Sequence, residues 1–525
     1  MKWKVAPKKS DDLLEQLLIN RGIKTKKEKE AFFNPKISDF EKDLEIPGIE
    51  RTNKRINQAI KNGELIIIFG DYDVDGICAC AILYKGLTSM GAKVLPYIPH
   101  REKEGYGLSK LGLEFARDSG ATVVITVDNG IVAIDQAKHA KQLGLDLIIT
   151  DHHIPLKKLP DAYEIVHSTQ MCGAGVAWCL IKDEIKKDLA KELLQFVAIA
   201  TVCDLIPLVG LGRAFVDEGL KVLNITTNLG LLSLINECGI TIGNLSSFEI
   251  GYILGPRLNA IGRLEHAIEA LRLLCTKDPI KARSLAKLLC EANIQRQAMT
   301  ATAIQEAKLL VDQSKKIHVL SSKDWAPGII GLIAGKITEE YFRPSIAISI
   351  GEKISKGSAR SVDGVNIVEV IRNFEDILID VGGHPGAAGF SIETRNIEIF
   401  KKRIQQTKLS LLEEEKVLQI DLDIKTNQLN KKLVEQLQKF QPFGFKNPRP
   451  ILATYSMIVS DIKTVGEGKH LKFKADNIDA IAFGMGELEN MLQNGQQIDL
   501  AYTPEIDTYN GSEKLQLKVK DIHVT

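Results

Sequence analysis

The sequence predicts an α/β protein ending in an all-β domain, and three observations carry the prediction. From about residue 62, short apolar runs alternate with amphipathic helical segments, the pattern of a parallel sheet covered by helices on both faces. Between Pro279 and Asp312 there is neither Gly nor Pro, and Asp278-Pro279 reads as an N-cap followed by proline at the first helical position, so a long connecting helix is expected there. Near the C-terminus, the alternating segment Lys514–Lys520 follows Asn510-Gly511, a strong hairpin signal.

In chain order, residues 1–55 form a charged, helix-prone N-terminal extension, broken at Asn34-Pro35 and expected to pack on the domain after it. Residues 56–205 form the first α/β domain, with strands at Ile66–Phe69, Lys93–Ile98, Thr122–Val127 and Leu145–Thr150 and a helix at Ala133–Leu143. Residues 206–312 are mainly helical, interrupted by the Gly/Pro/Arg-rich segment Gly255–Arg263, and end in the connector, about 50 Å long as one helix. Residues 313–410 form a second α/β unit with strands at Ile317–Leu320 and Ser345–Ile350. The charged run Glu413–Lys416 marks the last boundary, and residues 411–525 read as a small all-β domain.

At 525 residues the chain is too long for one core. Its formal net charge of +1 gives no global field, so contact with nucleic acid would run through local patches. The 8 cysteines include no CxxC pair and suit a reducing compartment. No apolar run reaches the roughly 18 residues of a membrane span, and the first residues lack the apolar core of a signal peptide. A cytoplasmic protein away from membranes is expected.

The chemistry gathers at strand ends. Asp71, Asp73 and Asp75 follow the first strand, Asp128-Asn129-Gly130 follows Thr122–Val127, Asp151-His152-His153 follows Leu145–Thr150, and Asp204 ends the helical stretch Phe196–Val202. Open α/β sheets place their sites beyond the carboxyl ends of the strands, so these clusters can converge. So much negative charge needs a counter-cation. An EF-hand is excluded, because position twelve counted from Asp71 is Ile82 rather than a bidentate Glu. Carboxylates with an imidazole suit Mg²⁺ or Mn²⁺, and four or five carboxylates suffice for two divalent ions, a known device for in-line attack of water on phosphorus. Arg257, Asn259 and Arg263 lie where backbone flexibility would let donors approach a ligand, Ser358 and Arg360 repeat the idea, and Gly382–Gly389 suits a phosphate cradle ahead of a helix. No Walker motif is present, which disfavours a P-loop NTPase. Lys469, Lys472 and Lys474 near Phe473, with Lys514, Lys518 and Lys520, suit either a solvated face or a groove along a phosphate backbone.

In order and type, Gly70–Gly76, Asp128-Asn129-Gly130, Asp151-His152-His153 and Asp204 resemble the successive motifs of the DHH phosphoesterase superfamily. Glu104–Leu108, Cys172–Ala177, Gly255–Arg263, Trp325–Gly331, Gly382–Gly389 and Pro442-Phe443-Gly444 extend the likeness to about residue 450, and resemble its single-strand-specific exonucleases. The resemblance implies a DHH-type catalytic domain, a long connecting helix, a DHH-associated domain and a C-terminal OB-like domain. It also implies metal-dependent 5′-to-3′ hydrolysis of single-stranded DNA to 5′-mononucleotides in DNA repair and recombination, with a single-strand-binding protein and a helicase as candidate partners. By the same resemblance Asp71, Asp73 and Asp128 would hold one Mn²⁺ or Mg²⁺, and Asp75, Asp128, His152 and Asp204 the other. His153 would sit beside the scissile phosphate. Arg101, Arg263, Ser358 and Arg360 would bind the 5′-terminal phosphate or adjacent backbone, and His384 would face the cleft. Phe69 stands where some members carry His, which leaves one metal more dependent on Asp71. The competing reading on the same core is a nano-RNase or cyclic-dinucleotide phosphodiesterase, against which the tail domain argues, since tiny substrates need no extended groove. A catalytically inactive nucleic-acid binder is disfavoured by the intact acidic and His residues.

Overall fold

Strand β1 (Lys2–Val5) opens the chain in the computed structural model, which describes residues 1–100, 104, 105, 107–407, 409, 417–507 and 513–524. The first domain is built on β2 (Leu65–Phe69), β3 (Lys93–Tyr97), β4 (Ala121–Val127), β5 (Asp146–Asp151) and β6 (Glu164–His167), all parallel, in the order β3-β2-β4-β5-β6. These strands read as unbroken Ile/Val runs because both faces are covered. Ile66, Ile68, Val123 and Ile125 pack under the helices Val74–Ser89, Gly173–Ile181 and Lys187–Cys203. Ile67, Phe69, Val124 and Ile149 pack under Lys110–Asp118 and Ile134–Gln142. Strand order reverses around β2, so the carboxyl ends of β2 and β4 flank a crevice of the kind where open α/β sheets bind ligands.

Gly255–Arg263 corrects an expectation. It is a regular helix, Gly255–Leu264, entered through a π-helical turn at Ile250–Leu254, not a flexible interruption. Pro256 sits at the junction of the π-turn and this helix, where it has no N–H to give to the preceding turn. Gly262 serves close approach instead of mobility, since a Cβ there would lie 2.9 Å from the Tyr72 carbonyl oxygen. The connector is one helix, Pro279–Leu309, of 31 residues. That makes it about 46 Å long, and the Asp278 carboxylate accepts from the N–H groups of Ile280 and Lys281.

The second α/β domain has β7 (His318–Ser322), β8 (Ser345–Ser349), β9 (Ile354–Arg360), β10 (Leu378–His384) and β11 (Ala387–Glu393) in the order β10-β11-β9-β8-β7, with only β7 and β8 parallel. Here too an expectation is corrected. Gly382–Gly389 is the end of the β10–β11 hairpin and heads no helix; Gly382 pairs with Gly389 across it, so backbone groups expected to bind a phosphate join the ladder. Ser358 and Arg360 likewise lie on β9 itself.

The C-terminal domain comprises β12 (Val417–Ile420), β13 (Leu422–Asp423), β14 (Leu452–Val465), β15 (His470–Ala475), β16 (Ile478–Ala482), β17 (Gln497–Asp507) and β18 (Lys514–Val524). Pairing runs β14-β15-β16-β18-β17, and β17 closes back on β14, giving a five-stranded barrel. Asn510-Gly511 and Glu413–Lys416 fall outside the described residues, but β17 and β18 pair antiparallel as a hairpin requires. The N-terminal extension is divided between the two ends of the chain. β1 pairs parallel with β12, and Leu17, Leu18 and Phe32 share the barrel-side core with Phe440 and Met457, whereas Ile37, and Ile49 at the start of the helix Ile49–Asn62, pack into the first domain's core. Among the described residues, no helix is long and apolar enough to cross a membrane.

Candidate active site

The acidic loop after β2 is shaped by its glycines and caps. Asp73 is the N-cap of the helix Val74–Ser89, its carboxylate accepting from the Gly76 N–H at 3.1 Å. Any side chain at Gly76 would strike the Asp71 backbone and Cβ at 2.7 Å, so the loop folds over the first turn only with glycine there. Asp75, buried, accepts from the N–H groups of Gly173 at 2.6 Å and Ala174 at 2.7 Å, at the N-terminus of the helix Gly173–Ile181, where the dipole favours a carboxylate. Asp128 ends β4 with φ 60°, a conformation rare outside glycine and asparagine, and Asn129 ties that end to β2 by donating to the carbonyls of Val127 and Phe69. Phe69 is buried against Tyr97 on the other face of the sheet and contributes nothing to the acidic cluster.

The expected clusters come together. His152 Nε2 lies 3.0 Å from Asp128, 3.6 Å from Asp75 and 3.6 Å from Asp204. His153 turns its Nδ1 to Asp151 at 2.7 Å and lies 4.0 Å from Asp128. Three groups of ligand atoms each fall within 4.8 Å: Asp71, Asp73 and Asp128; Asp75, His152 and Asp204; and Asp128, His152 and His153.

The electrostatics show what such a site lacks. Burial, then Asp73, pushes Asp75 up to about 7, and burial, then Asp75 and Asp73, pushes Asp204 up to about 8. Asp128 is driven well above the carboxylate range by burial and by Asp75, Asp73 and Asp71. Burial and the neighbouring His153 push His152 down to about 4. His153 rises to about 9: burial opposes its charge, but the bond to Asp151 and the charges of Asp151, Asp204 and Asp75 together outweigh it. Carboxylates this close cannot all ionise without added positive charge, and a divalent cation reverses that logic. Asp128 Oδ1 and His152 Nε2, both buried, make no hydrogen bond. Oxygen-rich donors with neutral imidazole fit Mg²⁺ or Mn²⁺.

Three of the residues expected to contact phosphate touch one short segment, Gly328–Gly331. Arg263 donates to the Gly328 carbonyl at 2.9 Å, across to the second domain, and its helix already rests on the acidic loop through Gly262. Arg360 donates to Ser358 Oγ at 3.1 Å, and both crowd Gly331, where a Cβ would lie 2.9 Å from the Arg360 guanidinium. Asn259 belongs to the scaffold: its Oδ1 accepts from the Val74 N–H at 3.2 Å and holds the acidic loop. Arg257 departs from its expected role. It donates to Ile253 at 2.8 Å and lies beside Cys290, bracing the π-turn instead of facing a ligand. His384 sits exposed at the hairpin tip, its Nδ1 accepting from Gly386, and joins none of the metal-competent groups among the described residues. Arg101 lies outside the described residues.

Sequence reasoning passed over Asp151 as a site residue. Its carboxylate accepts from the N–H groups of His152 and His153, from the His153 ring, and from Ile131. Its place directly before the histidines was the available signal. The Gly173 and Ala174 amides were also missed, though two glycines at a helix start point to a close approach.

Fold and site together define a metal-dependent phosphoesterase of the DHH class. Residues 65–201 match the model of the DHH family N-terminal domain, 314–408 that of the DHHA1 domain, and 420–521 that of the RecJ OB domain. The chain is 35% identical over 98% of its length to the single-stranded-DNA-specific exonuclease RecJ of Bacillus subtilis, of which it spans 68%. It superposes on crystal structures of Thermus thermophilus RecJ in complex with Mn²⁺ (TM-score 0.86, 26% identity) and with Mg²⁺ (0.79, 25%), covering all of this chain and 80% and 78% of those. The chain belongs to the RecJ family of single-stranded-DNA-specific exonucleases.

Proposed function

We propose that this chain removes nucleotides from the 5′ end of single-stranded DNA with two divalent ions, Mn²⁺ or Mg²⁺. The observation that carries the reading is the sharing of Asp128 between two metal-competent groups, one completed by Asp71 and Asp73 and the other by His152 and His153, with His152 shared in turn with the group of Asp75 and Asp204. Asp71, Asp73 and Asp128 hold one ion; Asp75, Asp128, His152 and Asp204 hold the other. Such ions supply Lewis acidity for water activation and for the charge that develops on phosphorus. The protein's share is placement. Gly173 and Ala174 fix Asp75, Asn259 fixes the loop between Asp73 and Asp75, and Asp151 fixes both histidines. His153, held through Nδ1, presents the other side of its ring to the scissile phosphate. Arg263, Ser358 and Arg360 receive the 5′-terminal phosphate, which sets the polarity because the strand can then run only away from the second domain. The barrel takes the strand further along, a surface a dinucleotide phosphodiesterase would not need. Single-strand-binding protein and a helicase remain partners this reading admits.

The test is product analysis. With Mn²⁺, a 5′-phosphorylated strand labelled at its 3′ end should shorten stepwise and release mononucleotides, and Asp73→Ala should abolish release. Degradation from the 3′ end, or equal turnover of di- to pentaribonucleotides and long DNA, would overturn the reading.

A further inference from the structure

His153 is held from two sides, and only one of them is local. Asp151, two residues back, accepts from the His153 N–H at 3.2 Å and from its ring Nδ1 at 2.7 Å. The His153 carbonyl is held from another strand, His167 donating to it from Nε2 at 2.7 Å. A carbonyl only accepts, so Nε2 carries the proton, and the ring donates whether or not its Nδ1 is protonated. The tether is therefore independent of the charge on His167. Strand pairing makes it possible. β6 ends at His167, in parallel register with Asp151 at the end of β5, and the Ser168 N–H continues the ladder to the Asp151 carbonyl at 3.3 Å. Side chains opposite one another on paired strands project from the same face, so the imidazole rises where Asp151 meets the histidines. Beyond His153 the chain has little else to hold it. Among the described residues, no backbone–backbone hydrogen bond involves residues 154–162, and bonding resumes where the Tyr163 N–H donates to Leu147 at 2.7 Å. Ile154 is 84% exposed, and Leu156 and Leu159 are half exposed. Without His167, motion of this segment would pass straight to the His153 backbone. The turn after β6 serves the neighbouring groups. The Met171 carbonyl accepts from the His152 ring; the donor is Nδ1, because Nε2 makes no hydrogen bond and lies 3.0 Å from Asp128. Gly173 and Ala174 then hold Asp75. Residues 167–174 thus set His153, His152 and Asp75 in turn, and only His153 is reached by a side chain.

We propose that His167 is a positioning residue for the hydrolysis: its Nε2–H fixes the His153 backbone, and through it the side of the His153 ring turned to the scissile phosphate. The proposal rests on the nuclease reading above, which puts His153 beside that phosphate. A misplacement of about 1 Å in a reacting geometry costs about 100-fold in rate, and a ring carried on an untethered carbonyl has that freedom. Among the described residues, His167 belongs to none of the metal-competent groups. Its loss should therefore slow the chemical step and leave metal binding alone.

The test compares two variants of the full chain: His167→Leu, which fills the space without a donor, and His167→Gln, whose amide N–H reaches about as far as Nε2–H. His167 is half-buried at a strand end, so thermal midpoints should stay near that of the parent. On a 5′-phosphorylated single strand with Mn²⁺, His167→Leu should lower kcat about 10- to 100-fold with KM unchanged, and His167→Gln should recover most of the loss. Free-ion electron paramagnetic resonance should give both variants the Mn²⁺ affinity of the parent. In a His153→Ala background, His167→Leu should cost nothing further, because the group it positions is gone. In the EDTA-treated chain, hydrogen–deuterium exchange of a peptide spanning residues 148–156 should quicken in His167→Leu and match the parent in His167→Gln. Full kcat in His167→Leu, no rescue by glutamine, or a further loss in the His153→Ala background overturns the positioning role. So does Mn²⁺ affinity that falls in step with kcat, which would make His167 a support of the whole site. A parent chain that leaves the strand intact overturns the nuclease reading instead, and the exchange comparison then still decides whether His167 tethers His153.

Discussion

Asp151→Asn is the sharpest perturbation of this site, because it removes no expected metal ligand and barely changes shape. Asp151 Oδ1 accepts from the His152 N–H at 2.7 Å, the His153 N–H at 3.2 Å and His153 Nδ1 at 2.7 Å, and Oδ2 accepts from the Ile131 N–H at 2.9 Å. Every partner is a donor, so an amide must turn its NH₂ toward at least one of them. If oxygen stays with the histidines, the Ile131 N–H meets another donor. A buried donor left unsatisfied costs about 1–3 kcal/mol, and the charge-assisted bond to His153 is weakened as well. Groups that orient metal ligands without touching the metal typically carry about 10- to 100-fold in metal affinity or activity. We therefore expect kcat on a 5′-phosphorylated single strand to fall about 10- to 100-fold, with weaker Mn²⁺ binding read directly from the free-ion electron paramagnetic resonance signal. Asp128→Asn, which strikes a carboxylate in two metal-competent groups, should weaken Mn²⁺ far more. Full kcat and unchanged Mn²⁺ affinity in Asp151→Asn would refute the positioning role.

Mn²⁺ should raise the thermal midpoint of the protein relative to EDTA, by about 2.7 kcal/mol of stabilisation at a hundredfold excess over Kd; identical midpoints would sink the metal site. Gly173→Ala puts a Cβ 2.6 Å from the Asp128 Cβ and 2.9 Å from its Oδ1, so the helix must withdraw from Asp75; Mn²⁺ affinity by calorimetry should drop at least about tenfold, the scale of lost ligand orientation. Arg360→Lys keeps the charge and loses the forked guanidinium, so preference for a 5′-phosphate over a 5′-hydroxyl strand should shrink; an unchanged kcat/KM ratio would remove Arg360 from the cradle. Glu64, bonded first by Thr122 and then by Arg55, is lowered from 4.5 to about 2. Its stabilising contribution is complete above 4.5 and is lost as pH falls through 2. Urea unfolding of Glu64→Gln should therefore vary less than that of the parent between those values.

What was legible in the sequence was whatever strand ends dictate. Parallel strands buried on both faces announce themselves as Ile/Val runs, and the polar residues that terminate β2, β4 and β5 then have one edge on which to gather, which is why Asp71, Asp73, Asp75, Asp128 and His152 were found and do lie together. Glycine-rich segments were illegible in the same terms. Glycine permits a flexible loop, a hairpin and a close helix contact alike, and composition does not separate them. At Gly262 the reason is Tyr72, at Gly173 it is Asp128, and at Gly382 it is a β-ladder. Each of those reasons lies on a distant segment, so only the fold could distinguish them. Arg257 and Arg263 make the same point about side chains. They are six residues apart on one helix, where about 100° per residue puts them on different faces, and one face meets the π-turn while the other meets the second domain. Read as a loop, the segment gave them one role; read as a helix, it has to give them two. The consequence reaches the site itself, because the helix that carries Arg263 to Gly328 also rests Gly262 on the acidic loop and lends Asn259 to Val74. On the proposed reading, metal centre and phosphate cradle are thus spaced by one rigid element, and that helix would set the distance from the 5′ phosphate to the bond that breaks.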